Sequence, residues 1–281
     1  MFSQLQNSKI KFCSYFLTLI ILTACTERSD LKDNTIIESS IGHQKSDIFR
    51  IKKSMNNPKN TGSTEGTVRD PASIDATIKH FLDQILDDNH HHMRTIKKEE
   101  YKKFKNRQSP RATVLMCSDS RVQTKAITKM DVNDLFVVRN IGNQVINSSG
   151  SIEFGVRFLN TPVLLIIGHS GCGAIEAVLY NVDVENGCIE RELEPIDVTG
   201  DSLNDAVIQN VDNQVEFAMR KFKKLVEQKK LLVVGAIYDF QDAYKKGLGI
   251  LIIVSLNGDK DPSIILESEY FKGNKNLVTI K

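Results

Sequence analysis

The sequence predicts an α/β fold in which a mostly parallel β-sheet is flanked by helices and preceded by an N-terminal helical arm. From residue 112 onward, short apolar runs without polar alternation recur, as is typical of strands buried on both faces. They alternate with segments whose apolar residues repeat at helical spacing, an order that favours parallel strands joined by helices. Hydrophobic residues make up 41% of the 281 residues and charged residues 26%, which is enough to fill one large domain core.

The helical arm is predicted to begin at Pro71, a residue that suits the first turn of a helix. Before it, residues 25–68 are polar and lack a sustained period, so we expect a flexible tether ahead of a domain at 69–281. Apolar residues of the arm repeat at helical spacing, at Ile74, Ile78, Phe81, Leu82, Ile85 and Leu86. A second, polar helix is predicted over 93–104.

The sheet and its covering helices are predicted from the segments that follow. Strands are predicted at 112–116, 135–138, 163–167, 231–237 and 249–254. Helices are predicted at 149–159, from Ala174, and at 203–228. The acidic segment from Gly187 to Gly200 is predicted to be a loop, and no element or role is assigned to it.

The N-terminus has the features of an export signal. Lys9 and Lys11 precede an apolar run that is too short to span a bilayer. This run closes on Leu-Thr-Ala-Cys25, which resembles the lipobox of bacterial lipoproteins. Residues 1–24 are therefore predicted to be a signal peptide, and Cys25 the acylated first residue of an exported, envelope-anchored protein. Thr26 follows, which favours the outer membrane in a Gram-negative host, facing the periplasm. An ordinary cleaved signal peptide is the alternative.

The charge of the chain disfavours nucleic acid as a partner. The formal net charge of +2 comes from Lys9 and Lys11, and the rest of the chain has equal numbers of acidic and basic residues. Such a chain lacks the basic surface that binds nucleic acid or anionic lipid. Membrane contact is therefore predicted only through the N-terminal lipid.

Two cysteines and one histidine lie where predicted parallel strands end. Cys117 follows the strand at 112–116, and both His169 and Cys172 follow the strand at 163–167. Functional groups gather beyond the carboxyl ends of such strands, so we expect the three side chains to meet at one edge. Two thiolates and one imidazole suit zinc and leave a fourth position for water. A disulfide between the two cysteines of an exported protein, or two buried free thiols, are the alternatives.

The neighbouring residues fit the same chemistry. Gly171 and Gly173 permit a tight turn, and a helix beginning there points its positive end at the Cys172 thiol, which lowers the thiol pKa. Asp119 and Arg121 follow the first cysteine at alternate positions and so point to its side in extended chain. The arginine can keep the carboxylate ionised and aimed at a reactive water. A structural ion pair that closes a turn is the alternative.

Two motifs resemble the zinc-binding motifs of the β-class carbonic anhydrases. They are Cys-Ser-Asp-Ser-Arg at 117–121 and His-Ser-Gly-Cys-Gly at 169–173. Further segments resemble that family in the same order, at 139–143, 151–154 and 235–239. The resemblance covers about residues 70–256, and it implies that the chain reversibly hydrates carbon dioxide to bicarbonate and a proton, with one Zn²⁺ per subunit and a homodimer as the minimal unit.

The resemblance also implies the roles of individual residues. Cys117, His169 and Cys172 are expected to be the zinc ligands, and Asp119 and Arg121 the catalytic dyad. In some members the aspartate becomes the fourth zinc ligand when its arginine moves away; the lack of tryptophan favours the open-site type here.

Two further roles are predicted outside the ligands and the dyad. The backbone N–H of Gly173 is expected to help position an oxygen of the substrate. The helix over 74–86 is expected to embrace the second subunit.

Three other functions stay open on the sequence alone. A sister enzyme on the same scaffold could hydrolyse carbon disulfide or carbonyl sulfide with the same ligands. A non-catalytic zinc-binding lipoprotein would bind the metal without turnover. A thiol redox protein would use Cys117 and Cys172, although their spacing is not Cys-x-x-Cys.

Two further features are interpreted as bystanders. His90, His91 and His92 point in different directions on a helix, so a solvated face is favoured over a second metal site or proton shuttle. Cys188 is interpreted as a spectator thiol, with an intermolecular disulfide as the alternative.

Overall fold

The computed structural model describes residues 71–129, 132–184 and 187–280. The predicted signal peptide at 1–24, the lipidation site Cys25 and the tether at 25–68 lie outside the described residues. No helix within the described ranges is long and apolar enough to cross a membrane.

Two helices form the first part of the described chain. Helix α1 spans Pro71–Thr95 and helix α2 spans Lys98–Phe104. The helical arm predicted from Pro71 is therefore present, but Met93 belongs to the end of α1 and not to the second helix. The apolar side chains of α1 are about one-third to two-thirds exposed, at Ile74, Ile78, Phe81, Leu82, Ile85, Leu86 and Met93.

The sheet has five strands, and the first four are parallel. They are β1 (Ala112–Cys117), β2 (Leu135–Asn140), β3 (Val163–His169), β4 (Leu232–Asp239) and β5 (Ile250–Leu256). The order is β2-β1-β3-β4-β5, with β5 antiparallel to β4. This confirms the mostly parallel sheet. Because β1 and β3 are neighbours, with Met116 opposite Ile167, both strands end at the same edge.

Helices connect the strands and cover the sheet. They are α3 (Ser149–Glu153), α4 (Gly173–Leu179), α5 (Gly187–Leu193), α6 (Leu203–Lys221), α7 (Lys223–Glu227) and α8 (Pro262–Glu267). A π-helical turn follows α3 at Phe154–Phe158, so the helix predicted at 149–159 changes its winding midway.

Two sequence predictions about these helices were wrong. The segment from Gly187 to Gly200 is not all loop, because its first half forms α5, from which Leu193 packs on the core. The helix predicted at 203–228 is broken at Phe222, whose φ of −109° and ψ of 18° end α6. That side chain is only 1% exposed, so the chain turns there to bury it.

Helix α6 covers the sheet with a face that is apolar in part. It packs on β3 and β4, and Val207, Val211 and Val215 belong to the main core cluster. Asn210 and Gln214 lie on the same helix and are buried as well. Their amides therefore need partners inside the protein.

Candidate metal centre

Cys117, His169 and Cys172 come together at the carboxyl edge of the sheet. Cys117 is the last residue of β1, and His169 is the last residue of β3. Cys172 directly precedes α4 as its N-cap residue. The ligand atoms of the three side chains all lie within 4.8 Å of one another, and all three residues are buried. Both cysteines are free thiols, without a disulfide.

The hydrogen bonds of His169 fit a metal ligand. Its Nδ1 lies 3.0 Å from the Ser170 carbonyl oxygen, which can only accept, so the proton is on Nδ1. The lone pair is then on Nε2, which is buried and has no hydrogen-bond partner. A buried polar atom without a partner is unfavourable unless something else satisfies it. An Nε2 lone pair beside two thiols is a ligand set that zinc accepts in tetrahedral geometry.

The two thiols share one proton. A hydrogen bond from Cys172 is the largest cause that lowers the pKa of Cys117, and the backbone N–H groups of Asp119 and Gly142 lower it further, whereas burial raises it. The pKa of Cys172 is raised, first by its hydrogen bond to Cys117 and then by burial. The backbone N–H groups of Ala174 and Ile175 at the start of α4 lower it, as predicted for that helix, but their effect is the smaller one. A dication at this position would displace the shared proton and allow both sulfurs to be thiolates.

Asp119 and Arg121 form a two-point ion pair beside the cluster. Arg121 Nε donates to Asp119 Oδ1 at 2.9 Å, and a terminal nitrogen donates to Oδ2 at 2.6 Å. The pKa of Asp119 is lowered to about 2, chiefly by hydrogen bonding from the Arg121 side chain. Asp119 Oδ2 lies 3.9 Å from His169 Nε2, so an ionised carboxylate faces the ligand atoms. The arginine also donates to the Gly171 carbonyl at 3.0 Å, which joins the two motifs.

Arg139 holds the chain that follows β1. Its Nε donates to the Cys117 carbonyl at 3.0 Å, and a terminal nitrogen donates to the Asp119 carbonyl at 2.7 Å. These bonds fix the backbone on either side of Ser118. The sequence placed Arg139 in a family-like segment but assigned it no contact.

The two glycines of the second motif differ. Gly171 has a φ of +61°, as predicted for a tight turn, and a Cβ there would lie 2.6 Å from the Gln241 side chain. Gly173 has no positive φ, because it is the first residue of α4, and a Cβ there would meet nothing within 4 Å. The tight turn therefore uses the backbone freedom of Gly171 and not that of Gly173, whose substrate-positioning role stays a prediction.

The chain after β4 supplies two side chains that the sequence reasoning missed. The Phe240 ring stacks on His169 with 5.8 Å between centroids, and the Arg121 guanidinium lies 4.6 Å from its centroid. Gln241 packs against Gly171. Both follow the carboxyl end of a parallel strand, so the rule that located Cys117 and His169 could have indicated them too.

The remaining candidates lie away from these residues or stay untested. His90, His91 and His92 are exposed on α1, and His92 Nε2 lies 3.0 Å from the Tyr101 hydroxyl. Cys188 is exposed on α5.

Comparison with known proteins finds one family across strands β1 to β4 and the site. A sequence model described as carbonic anhydrase matches residues 112–244. Over 78 residues the chain is 45% identical to carbonic anhydrase 2 of Mycobacterium tuberculosis, covering 27% of this chain and 37% of that protein. Over 174 residues it is 29% identical to a carbonic anhydrase of Emericella nidulans, covering 54% and 75%. The match thus spans little more than a third of the M. tuberculosis relative.

Solved structures share the fold. A β-carbonic anhydrase of Sordaria macrospora, described as tetrameric, superposes with a TM-score of 0.54 at 22% identity, over 64% of this chain and 98% of that one. The β-carbonic anhydrase CcaA gives the same TM-score at 20% identity, over 64% and 88%. At these identities the likeness establishes the fold alone.

Proposed function

Because residues 112–244 belong to the β-class carbonic anhydrase family, we propose that this chain reversibly hydrates carbon dioxide to bicarbonate and a proton, with one Zn²⁺ per subunit. The observation that carries the proposal is the unpartnered Nε2 of His169, within 4.8 Å of two free thiols and next to an ionised Asp119. Cys117, His169 and Cys172 would hold the ion. When bound, zinc acts as a Lewis acid that lowers the pKa of a water molecule to about 7.

Asp119 orients the reacting water in this proposal. With a pKa of about 2 it stays ionised at neutral pH, so it can only accept a hydrogen bond there. Accepting the water's hydrogen turns an oxygen lone pair towards the carbon of carbon dioxide. Arg121 keeps the carboxylate in place with two hydrogen bonds, and Phe240 covers the guanidinium. For Asp119 to become a fourth zinc ligand, its carboxylate would have to leave this pairing, so the pairing supports our assignment to the open form.

We also propose a homodimer as the minimal assembly. The support is the apolar face of α1, where Phe81, Leu82 and Ile85 are each about half exposed. A second subunit would bury this face. An oligomeric relative on this fold, the tetrameric enzyme of Sordaria macrospora, is consistent with self-association.

Export and lipid anchoring rest on the sequence of residues 1–25. We propose that the mature chain begins at acylated Cys25 and is held at the cell envelope, in the outer membrane if the host is Gram-negative. Intact mass of the mature N-terminus tests this: an unmodified Cys25 would refute the anchor.

The test of the activity is stopped-flow hydration of carbon dioxide by the purified full-length chain. Turnover that is lost on zinc removal and restored by adding one equivalent of zinc would support the proposal. A zinc-loaded protein that gives no turnover from mildly acidic to alkaline pH would refute it. Carbon disulfide and carbonyl sulfide would then be assayed, and zinc binding without any turnover would leave a metal-binding lipoprotein.

A further inference from the structure

Three buried carboxamides form a continuous hydrogen-bonded network between the loop after β2 and helix α6. Gln144 follows β2, and Asn210 and Gln214 lie one turn apart on α6. Gln144 Nε2 donates to Asn210 Oδ1 at 2.7 Å, and Gln214 Nε2 donates to Gln144 Oε1 at 2.9 Å. The three residues are 0%, 1% and 5% exposed. Side-chain amides thus join Gln144 to two residues of α6 that lie 66 and 70 positions further along the sequence.

This amide chain holds the backbone at Gly142. The Gly142 carbonyl accepts from Gln144 Nε2 at 2.7 Å and from Asn210 Nδ2 at 3.0 Å. The Val145 N–H donates to Gln214 Oε1 at 2.8 Å, which fixes the far side of the same loop. The loop is therefore tied to α6 at two points.

Gly142 in turn contacts the first zinc ligand. Cys117 pairs in the sheet with Asn140, two residues before Gly142, and the Asn140 carbonyl accepts from the Ser118 N–H at 3.0 Å. From this position the Gly142 backbone N–H is a donor to the Cys117 sulfur. Gly142 has a φ of +70°, and a Cβ there would lie 2.8 Å from Ile196 Cδ1, so both the backbone angle and the space favour glycine at this position. The carbonyl of the residue is held by the amides and the N–H points at the sulfur. A shift of the loop would lengthen the N–H···S bond.

Stability alone does not account for so many buried amides. Buried polar pairs replaced together by apolar groups of similar shape can leave stability nearly unchanged. Groups that hydrogen-bond a metal ligand, in contrast, orient it and tune its charge, and their loss typically weakens metal binding about 10–100-fold. We infer that Gln144, Asn210 and Gln214 are positioning residues that act through Gly142 on the Cys117 sulfur. The inference rests on the proposed zinc site.

The test compares variants of two of the three amides with a control variant in a buried polar pair at the other end of β1. In the full-length protein, Gln144→Met and Gln214→Met remove amides at nearly constant volume. The control is Thr113→Val, which removes the 2.7 Å hydrogen bond between the buried Thr113 and Thr161 hydroxyls. Zinc dissociation constants come from chelator competition, and thermal unfolding of the zinc-free proteins reports stability. The cobalt-substituted proteins give the thiolate-to-metal charge-transfer band, which reports the sulfur's surroundings.

We expect Gln144→Met to bind zinc about 10–100-fold more weakly and to shift the charge-transfer band. Gln214→Met should show a smaller loss of at least roughly threefold, because the Gln144 bond to Gly142 remains. Thr113→Val should lose stability without either change. Zinc affinities and bands equal to those of Thr113→Val would overturn the inference. So would failure of both amide variants to fold, since the network would then be purely structural.

The outcome for the proposed function is read separately, on the wild type. A wild type that binds no zinc overturns both ideas. If the wild type binds zinc but does not hydrate carbon dioxide, the proposed function fails, and the affinities of the variants still decide the positioning role.

Discussion

Two aspartate–arginine pairs of similar geometry lie at opposite ends of β1 in the part of the chain that the structure describes. Arg111 precedes β1 and donates two hydrogen bonds to the carboxylate of Asp134, which precedes β2. Arg121 donates two hydrogen bonds to Asp119, just beyond the end of β1. In both pairs the arginine's hydrogen bond is the largest cause that lowers the aspartate pKa.

Their surroundings differ. The Asp119 carboxylate lies 3.9 Å from His169 Nε2, and its side chain is 17% exposed. The Asp134 side chain is 2% exposed, and it accepts from the Thr128 hydroxyl at 2.7 Å. Arg111 also donates its backbone N–H to the Asp134 carbonyl, which ties together the chain entering both strands.

A lowered pKa therefore does not by itself distinguish a catalytic carboxylate from a structural one. The distinction comes from position, because the carboxyl ends of parallel strands gather functional groups while the amino ends close the fold. The alternative for Asp119–Arg121 is a structural ion pair, and Asp134–Arg111 is such a pair in the same protein. The two pairs can therefore be tested against each other.

The largest expected effect is loss of the metal at the carboxyl edge of the sheet. Cys172→Ser removes a thiolate ligand, so we expect the protein to lose zinc and hydration of carbon dioxide to fall by at least about 1,000-fold. Cys188→Ser, at an exposed cysteine of α5, should retain both. Metal analysis and stopped-flow kinetics check this. Stoichiometric zinc with full turnover in Cys172→Ser would remove the basis for a metal centre at this edge.

A smaller effect is expected at the amino edge. Asp134→Asn puts an amide where Arg111 and Thr128 donate to a carboxylate, so some donors lose their acceptor. We expect the thermal unfolding midpoint to fall by roughly 5 °C, while zinc content and kcat/KM stay within about threefold of wild type. Loss of turnover in a folded, zinc-loaded Asp134→Asn protein would contradict the division between the edges.

The smallest effect is a pH dependence of stability. Because the folded-state pKa of Asp134 lies below its ordinary value of 3.8, the folded state favours the ionised carboxylate. Its contribution is fully present above 3.8 and is lost as pH falls through the folded-state pKa. The difference in free energy of unfolding between wild type and Asp134→Asn should be constant from neutral pH to about 5 and shrink in stronger acid. Urea titrations across this range measure it, and a difference that grows on acidification would show the opposite sign.

The fold and the meeting of Cys117, His169 and Cys172 at one edge were predictable from signals in the sequence. Short apolar runs marked all five strands, and the rule about strand ends placed Cys117 and His169 at one edge. Asp119 and Arg121 are two positions apart, so their pairing also follows from nearby sequence.

Contacts between distant segments were not predictable in this way. Arg111 and Asp134 meet only because β1 and β2 pair in a particular register, with Ala112 opposite Leu135. Asn210 and Gln214 lie on the buried face of α6, and this position indicates in the sequence that their amides need partners inside the protein. Which amides they meet depends on the packing of α6 against the loop after β2, and a helical period contains no information on that.

The most direct test of the central claim is carbon dioxide hydration by Asp119→Asn and Asp134→Asn, measured side by side at equal zinc content. Both variants remove the charge of an arginine-paired aspartate without changing its size. We predict that Asp119→Asn lowers kcat/KM about 100-fold or more with zinc retained, whereas Asp134→Asn leaves it near the wild-type value. Equal kcat/KM values for the two variants would contradict the account, because Asp119–Arg121 would then be a structural ion pair like Asp134–Arg111.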